Sequence, residues 1–257
     1  MFVIAVANEK GGVAKTTTTL SLGSVLANKG YKTCIIDLDA QANLSLAIGF
    51  DPNHTQKSVA GLLQNSTTFY EIVQQTKINN LWLIPSNHQM SLSERFLPIQ
   101  RNYEYILRET IKKSFQDFDY VIIDCPPFLG AVTLNALVAS NMLLVPTQAE
   151  YFSVFALKGL MAWIKMIRTK YNPQLTYRLV LTMVDRRNKI HRVLSEQLRA
   201  SFNNGLLNTV INTDTKLREC PIAGLPITHH ASTSRAAQQY LALGEEIIEY
   251  VSETNKK

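Results

Sequence analysis

One stretch near the amino terminus decides the fold of this chain: Asn8-Glu9-Lys10-Gly11-Gly12-Val13-Ala14-Lys15-Thr16-Thr17. A continuous apolar run at residues 2–7 precedes it, and residues 16–28 carry apolar side chains at helical spacing. The order is therefore a buried strand, a glycine-containing loop and a helix. Backbone N–H groups at such a helix start face an anion, Lys15 can reach the outer phosphates of a nucleotide, and the Thr16 hydroxyl is placed to ligate Mg²⁺. The stretch thus predicts a phosphate-binding loop.

The loop departs from the ordinary pattern GxxxxGK[ST] at both glycine positions, where Glu9 and Ala14 stand. It fits instead the pattern KGGxxK[ST], which adds a second lysine, Lys10. A methyl group at Ala14 is tolerable only if that residue keeps an ordinary φ angle, and we expect nucleotide binding to survive the change. The alternative is that Gly11 and Gly12 only form a tight turn beside two solvated lysines. The strand before the loop and the helix after it favour the phosphate-binding interpretation.

Buried strands alternate with amphipathic helices along the rest of the chain. Apolar runs without alternating polar residues predict buried strands at residues 33–36, 81–84, 120–123, 142–145, 179–183 and 207–211. Helical spacing of apolar side chains predicts helices at residues 103–115, 154–171, 190–202 and 234–251. This order predicts an α/β fold, a doubly wound and mostly parallel sheet flanked by helices, with ligands at the carboxyl ends of the strands. We expect a single domain over residues 1–257, with a frayed polar tail at residues 253–257.

Composition excludes several classes of protein. No apolar run approaches the roughly 18 to 20 residues that span a bilayer, and we expect a cytoplasmic chain without membrane contact. The three cysteines, Cys34, Cys125 and Cys220, are widely spaced, which argues against a disulfide framework or a CxxC metal site. The net charge of +6 favours contact with polyanions, but only the position of the charges can decide this.

Acidic side chains end two of the predicted strands. Asp37 and Asp39 follow the run at residues 33–36, and alternation along an extended backbone sends both to the same side. Asp124 follows four apolar residues, as in a Walker B segment, where a nearby cation would stabilise its carboxylate. We therefore predict that Asp124 lies in the shell of a magnesium ion. Helix capping or turn formation is the alternative role for these acids.

The pattern KGGxxK[ST] resembles the ParA, Soj and MinD family of ATPases with a deviant Walker A loop. Three more segments resemble the family's D-x-D-x-Q, V-P-x-Q-x-E-Y and L-x-E-x-P motifs, namely Asp37-Leu38-Asp39-Ala40-Gln41, Val145-Pro146-Thr147-Gln148-Ala149-Glu150-Tyr151 and Leu217-Arg218-Glu219-Cys220-Pro221. The likeness covers nearly the whole chain. It implies an ATP- and Mg²⁺-dependent switch that hydrolyses ATP slowly to ADP and phosphate until a partner protein stimulates it.

The resemblance also implies a role for each site residue. Lys10 would reach across a homodimer to the phosphates held by the partner subunit, Asp37 would lie in the outer Mg²⁺ shell, and Asp39 would orient the attacking water. The catalytic set is then Lys10, Lys15 and Asp39, and the metal set is Thr16, Asp37 and Asp124. The implied nucleotide-binding set comprises Lys10, Gly11, Gly12, Val13, Ala14, Lys15, Thr16 and Thr17.

The sequence favours adenine over guanine as the base. The N-K-x-D loop of many GTPases is absent from the corresponding stretch, Thr182-Met183-Val184-Asp185. By resemblance, the base would contact the segment after residues 207–211. Soj-type proteins often have Pro-Arg-Asn there, whereas this chain has Asn212-Thr213-Asp214.

Basic residues concentrate late in the chain, at Arg186, Arg187, Lys189, Lys216 and Arg218, with Arg192 and Arg199 on the polar face of the helix between them. In Soj-like proteins, basic residues at matching places, near Arg187 and at Lys216, bind DNA without reading its sequence. The resemblance therefore implies non-specific DNA, a ParB-like partner and a location on the nucleoid, with plasmid or chromosome DNA as cargo. A solvated basic face is the alternative.

Three other functions share parts of this pattern. A positioner of protein cargo on the nucleoid would have the same motifs. A MinD-like membrane organiser ends in an amphipathic membrane helix, but residues 252–257 leave no spare apolar face. A nitrogenase-reductase-like enzyme needs paired cluster cysteines, and Cys125 lacks a mate in the sequence.

Overall fold

The computed structural model describes residues 1–54 and 57–254. Within these residues the strands are β1 (Phe2–Val6), β2 (Thr33–Asp37), β3 (Gln74–Gln75), β4 (Leu81–Ile84), β5 (Tyr120–Asp124), β6 (Met142–Gln148), β7 (Thr176–Val184) and β8 (Leu206–Asn212). They form one sheet in the order β3-β4-β2-β5-β1-β6-β7-β8. The pairings are parallel except that β3 runs antiparallel to β4. The predicted α/β fold with a mostly parallel sheet is confirmed.

Helices cover both faces of the sheet. On one face lie α1 (Lys15–Asn28), α2 (Asn43–Ala47), α10 (Lys216–Ala223), α11 (Ile227–His230) and α12 (Arg235–Thr254). On the other lie α3 (Val59–Leu63), α4 (Phe69–Ile72), α5 (Met90–Phe96), α6 (Ile106–Ser114), α7 (Ala131–Ala139), α8 (Tyr151–Lys170) and α9 (Lys189–Phe202). Short 3₁₀ segments occur at Leu97–Ile99, Tyr103–Tyr105 and Asn203–Gly205. No helix in the described ranges is both long and apolar enough to cross a bilayer.

The central strands β1, β2 and β5 are nearly continuous apolar runs because they are buried on both sides of the sheet. In β1, Val3 and Ala5 pack into the core under α6, α7 and α8, whereas Ile4 and Val6 pack into the core under α1 and α12. In β2, Cys34 and Ile36 face the first core and Ile35 faces the second. Parallel sheets covered on both faces have this pattern. It explains why every predicted strand was found at its place.

The structure corrects several predicted boundaries. The helix predicted at residues 103–115 is a 3₁₀ turn followed by α6. Glu253 and Thr254, the first two residues of the predicted frayed tail, continue α12, and residues 255–257 lie outside the described part of the chain. The missed α7 is buried along almost its whole length, so its sequence lacks the alternation of an amphipathic helix. The other missed helices, α2 to α5, α10 and α11, have at most eight residues, too few for a clear period.

The backbone at Ala14 contradicts the expectation of an ordinary φ angle. Ala14 has φ 66° and ψ 34°, in the left-handed region, and it is the residue before α1. Two hydrogen bonds fix the chain around it: the Thr182 hydroxyl donates to the Val13 carbonyl at 3.0 Å, and the Thr18 N–H donates to the Ala14 carbonyl at 2.9 Å. A Cβ in this conformation costs about 1–2 kcal/mol. The loop therefore keeps the shape that a glycine would favour, at the expense of local strain.

Replacement of Ala14 by glycine should stabilise the protein. The glycine removes the Cβ strain, and part of this gain is offset by the larger backbone entropy of glycine in the unfolded chain. We expect the free energy of unfolding to rise by about 0.5–1 kcal/mol in urea titrations of the nucleotide-free protein. The control is Ala200→Gly on the exposed side of α9, where the same change should destabilise by about 1 kcal/mol. Equal destabilisation by both variants would contradict the strain at Ala14.

Candidate functional site

A cavity of about 710 Å³ opens at the carboxyl ends of the central strands. The loop between β1 and α1 forms one wall with Gly11, Gly12 and Thr16, and α2, α10 and α11 contribute to the others. Asp39 lines the cavity from the segment after β2, and Pro127 lines it from the segment after β5. The cavity therefore lies where a doubly wound sheet is expected to bind its ligand.

A buried carboxyl group connects the phosphate loop to the sheet. The Thr16 hydroxyl donates to Asp124 Oδ2 at 2.7 Å, and the Thr19 hydroxyl lies 3.4 Å from Asp124 Oδ1. Burial raises the pKa of Asp124 well above its ordinary value, and the neighbouring Asp37 acts in the same direction, against the hydrogen bond from Thr16. A cation close to the Asp124 carboxyl group would stabilise its ionised form.

Lys15 is also buried, with its side chain at the base of the loop. Its amine donates to the Lys10 carbonyl at 3.1 Å. Burial lowers the pKa of the Lys15 amine, and the negative charge of Asp124 opposes that shift. A phosphate group in the cavity would stabilise the charged amine further, because an opposite charge at close range favours the charged form.

Asp37 and Asp39 occupy different environments despite their close spacing. Asp37 ends β2, is fully buried, and accepts hydrogen bonds from the Ser45 N–H at 2.9 Å and the Ser45 hydroxyl at 2.8 Å. Burial raises the pKa of Asp37 to about 6. Asp39 lies beyond the strand, donates its N–H to Asp37 Oδ1 at 3.1 Å, and reaches the cavity wall. Asp39 is thus placed to contact a ligand directly, whereas Asp37 lies behind the wall.

The oxygen groups of Thr16, Asp37 and Asp124 suit Mg²⁺ in chemical type. Among the described residues, no group of three or more His, Cys, Asp or Glu side chains is arranged to hold a metal ion without other ligands. Mg²⁺ that is bound together with a nucleotide keeps several waters and takes one or two protein ligands plus phosphate oxygens. Thr16 would be the direct ligand, with Asp124 behind it through the 2.7 Å hydrogen bond.

The second lysine of the loop, Lys10, is held outside the cavity by the end of β6 and the start of α8. Its amine lies 2.6 Å from Glu150 Oε2, 2.9 Å from Gln148 Oε1 and 2.9 Å from the Ser153 hydroxyl. Gln148 also lies 3.3 Å from the Gly12 carbonyl through its Nε2. The sequence did not predict these partners as site residues, although Gln148 and Glu150 belong to the V-P-x-Q-x-E-Y segment at residues 145–151. Their distance in sequence from Lys10 hid the contact.

Glu94 is a further residue that sequence reasoning missed. From α5, its carboxylate accepts the N–H of Ala131 at 2.7 Å and of Val132 at 3.1 Å, at the start of α7. The residue before α7 is Gly130, which has no side chain to cap the helix. Glu94 thus supplies the cap from another helix and anchors the segment that runs from Asp124 past Pro127 into α7. No local sequence motif indicates a helix cap that comes from a residue 37 positions earlier in the chain.

The predicted basic residues come together in the segments that follow the neighbouring strands β7 and β8. Arg186, Arg187 and Lys189 follow β7, Lys216 and Arg218 follow β8, and all five are exposed. The two strands are neighbours, and the Thr213 N–H donates to the Val184 carbonyl at 3.2 Å between the loops. Arg187 pairs with Asp185 at 3.0 Å and Lys216 with Glu219 at 2.9 Å, so these two charges are partly neutralised. Arg192 is exposed on α9, and Arg199 binds the Asn208 carbonyl at 3.2 Å.

A glycine-containing loop between a buried strand and a helix, with a buried lysine and buried carboxyl groups at its base, defines a P-loop nucleotide-binding protein. Comparison with known proteins agrees. Residues 1–177 match the family model described as an AAA domain. The chain is 33% identical to the chromosome partitioning protein ParA of Myxococcus xanthus, over 96% of this chain and 87% of that protein. It is also 33% identical to the sporulation initiation inhibitor protein Soj of Bacillus subtilis, over 95% of this chain and 97% of that protein.

The chain therefore belongs to the ParA and Soj family of P-loop ATPases, as its motifs predicted. A solved structure extends the likeness. Cobyrinic acid a,c-diamide synthase from Mycobacterium smegmatis, crystallised with bound ADP and magnesium, is 29% identical with a TM-score of 0.87. The match covers 98% of this chain and 96% of that chain.

Removal of the Glu94 carboxylate should destabilise the protein, because two N–H groups at the start of α7 would lose their acceptor. We expect Glu94→Ala to lower the free energy of unfolding by about 1–2 kcal/mol in urea titrations. Glu196→Ala, an exposed acid on α9, serves as the control and should stay within about 0.5 kcal/mol of wild type. Equal small effects of both substitutions would show that Glu94 does not act as the cap.

Proposed function

We propose that this protein is a switch ATPase that binds Mg²⁺ and ATP in the 710 Å³ cavity, dimerises in the ATP-bound state, and then holds non-specific DNA. The observation that carries the proposal is the phosphate loop with two lysines, of which Lys15 lies at its base and Lys10 is held at its edge. The family of partitioning ATPases supports the same interpretation. Through such a switch the protein would partition or position DNA with a ParB-like partner.

Each site residue receives a role consistent with its place. Lys15 and the N–H groups of the loop would bind the phosphates, and Thr16 would ligate the metal, with Asp124 and Asp37 behind it. Asp39, at the cavity wall, would orient the attacking water. ATP hydrolysis of this kind depends on positioning and neutralisation of charge and needs no covalent intermediate. Slow hydrolysis would keep the ATP-bound state long enough for a partner protein to end it.

Lys10 would act between two copies of the chain. In the free chain, Glu150, Gln148 and Ser153 satisfy its amine. In the proposed dimer, the same amine would leave them for the phosphates bound by the partner subunit. Dimerisation is then an exchange of one set of hydrogen-bond acceptors for another, and the strength of the contact with Glu150 opposes it.

The α12 side chains Tyr240, Leu243 and Ile247 are buried against the core, so this face of the helix is not available to a membrane.

Weakening of the Lys10–Glu150 pair should favour the ATP-bound dimer. Glu150→Gln removes the negative charge but keeps an acceptor, and we expect dimerisation at a protein concentration about 2- to 5-fold lower, measured by analytical ultracentrifugation with Mg²⁺ and a non-hydrolysable ATP analogue. Glu245→Gln, which breaks a surface pair with Lys29, is the matched control and should leave dimerisation unchanged. Lys10→Ala should abolish it. If Glu150→Gln abolishes dimerisation as Lys10→Ala does, the exchange is refuted.

DNA binding should require ATP and the basic residues that follow β7 and β8. With Mg²⁺ and ATP, but not ADP, the protein should co-sediment with random-sequence DNA at low salt, since a dimer contacts more phosphates than a monomer. The paired residues Arg187 and Lys216 should contribute less than Arg186, Lys189 and Arg218, whose charges have no ion pair among the described residues. Each lost phosphate contact should reduce the slope of log affinity against log salt by about 0.9.

Alanine variants of these five residues test the surface, with nucleotide binding measured in parallel. Lys112→Ala with Lys113→Ala is the control, because these lysines lie on α6, which packs against α3 and α7. Equal DNA binding with and without nucleotide would refute the switch. Unchanged salt slopes in all five variants would refute the surface.

A further inference from the structure

Side chains of two neighbouring strands bind the carbonyl groups of the phosphate loop. Gln148 at the end of β6 and Thr182 in β7 lie opposite each other in the sheet. The Gln148 amide donates to the Gly12 carbonyl at 3.3 Å, and the Thr182 hydroxyl donates to the Val13 carbonyl at 3.0 Å. Two consecutive carbonyl groups of the loop are therefore fixed toward β6 and β7.

The fixed carbonyl groups determine where the N–H groups of the loop point. In a planar trans peptide, the C=O and the following N–H point in opposite directions, and the described residues contain no cis peptide bond. Because the Val13 carbonyl is directed to the Thr182 hydroxyl, the Ala14 N–H points away from that hydroxyl. In the described part of the chain this N–H donates to no other residue, and Ala14 lines the 710 Å³ cavity. The Ala14 N–H is thus available to an anion in the cavity.

The backbone conformation at Ala14 opposes this orientation. Gly12 and Ala14 have positive φ angles of 72° and 66°, whereas Val13 between them and Lys15 after them do not. Backbone of alternating hand forms a concave nest of N–H groups that binds anions. Glycine adopts a positive φ without strain, but the Cβ of Ala14 disfavours it.

One rotation would relieve the strain and spoil the nest together. The peptide between Val13 and Ala14 turns by changing ψ of Val13 and φ of Ala14. A turn that returns Ala14 to negative φ therefore moves the Val13 carbonyl off the Thr182 hydroxyl and redirects the Ala14 N–H. Thr182 is fully buried, so water does not compete for its hydroxyl. The hydrogen bond from Thr182 to Val13 is therefore the contact that opposes this rotation.

We propose that Thr182 is a positioning residue for phosphate binding, whose hydroxyl holds the Val13–Ala14 peptide so that the Ala14 N–H faces the phosphates. The inference rests on the proposed function, since it requires a nucleotide on the phosphate loop. It gives a buried hydroxyl of β7 a role that it performs only through Val13. It also makes that role depend on residue 14, because a glycine there would keep the positive φ without help.

Substitutions at residue 182 test this role by calorimetry with Mg²⁺ and ADP. Thr182→Val keeps the shape of the side chain but removes the donor, and it should weaken ADP binding about 5- to 10-fold. Thr182→Ser keeps the donor and should bind ADP within about 2-fold of wild type. Thr147→Val is the matched control, because Thr147 is fully buried in the neighbouring strand β6 and its hydroxyl donates to the Val145 carbonyl of the same strand. This control should bind ADP as wild type does.

A second background separates positioning from a general loss of packing. In the Ala14→Gly variant the positive φ carries no Cβ strain, so adding Thr182→Val should weaken ADP binding by no more than about 2-fold. A purely structural role of Thr182 predicts the same loss in both backgrounds, and that result overturns the proposal. Wild-type affinity in Thr182→Val, or an equal loss in Thr147→Val, overturns it as well.

Amide NMR of the wild type needs no variant and therefore tests the proposal even if Thr182→Val does not fold. When Mg²⁺ and ADP are added, the Ala14 amide proton should shift downfield, because it gains a hydrogen bond to a charged phosphate oxygen. An Ala14 amide that keeps its nucleotide-free position while ADP binds overturns the proposal. Failure of the wild type to bind ADP at all would instead refute the nucleotide site itself and so the proposed function.

Discussion

The hydrogen bond from Thr16 to the buried carboxyl group of Asp124 is the contact on which the site depends. It joins the first turn of α1 to the carboxyl end of β5, at the centre of the sheet. An ionised carboxyl group at this depth is unfavourable without partners, and for this reason burial raises the pKa of Asp124. The polar groups around it therefore converge on one point. A divalent cation beside them would favour the ionised carboxyl groups of Asp124 and Asp37.

In the free chain, both lysine amines of the phosphate loop bind groups of the same chain. Lys15 contacts the Lys10 carbonyl, and the Lys10 amine contacts Glu150. A ligand or a second subunit must then replace existing partners, so the net gain from each new contact is smaller than the contact itself. The proposed switch requires this kind of compensation, because a modest difference in binding can exchange two states only if their free energies are similar. The contact between Lys10 and Glu150 of its own chain is thus compatible with the proposed role of Lys10 between subunits.

The sequence predicted the sheet well, and the structure places the predicted loop beside a cavity at the carboxyl ends of the strands. Strands buried on both faces give unbroken apolar runs, and a phosphate loop must follow one strand and open one helix. Contacts between distant segments were not predictable in the same way. The Lys10–Glu150 pair spans 140 residues and the Glu94 cap spans 37, and no local pattern encodes either. Short helices of four or five residues, such as α2 and α4, also lack a readable period.

Backbone strain marks the site independently of its side chains. Among the described residues, seven other than glycine have positive φ angles, and four of them are asparagines, which tolerate the left-handed region. The other three are Ala14, Ala42 and Met183, which have no such tolerance. Ala14 lines the 710 Å³ cavity, and Ala42 precedes α2, whose residues Asn43 and Leu46 line the same cavity. Met183 lines a smaller cavity that Ala14 also lines. Strain of about 1–3 kcal/mol per residue persists only where surrounding structure enforces it, and it collects at functional sites. The surrounding structure therefore holds the loops around the cavity in one conformation, and this would lower the ordering cost of binding a ligand there.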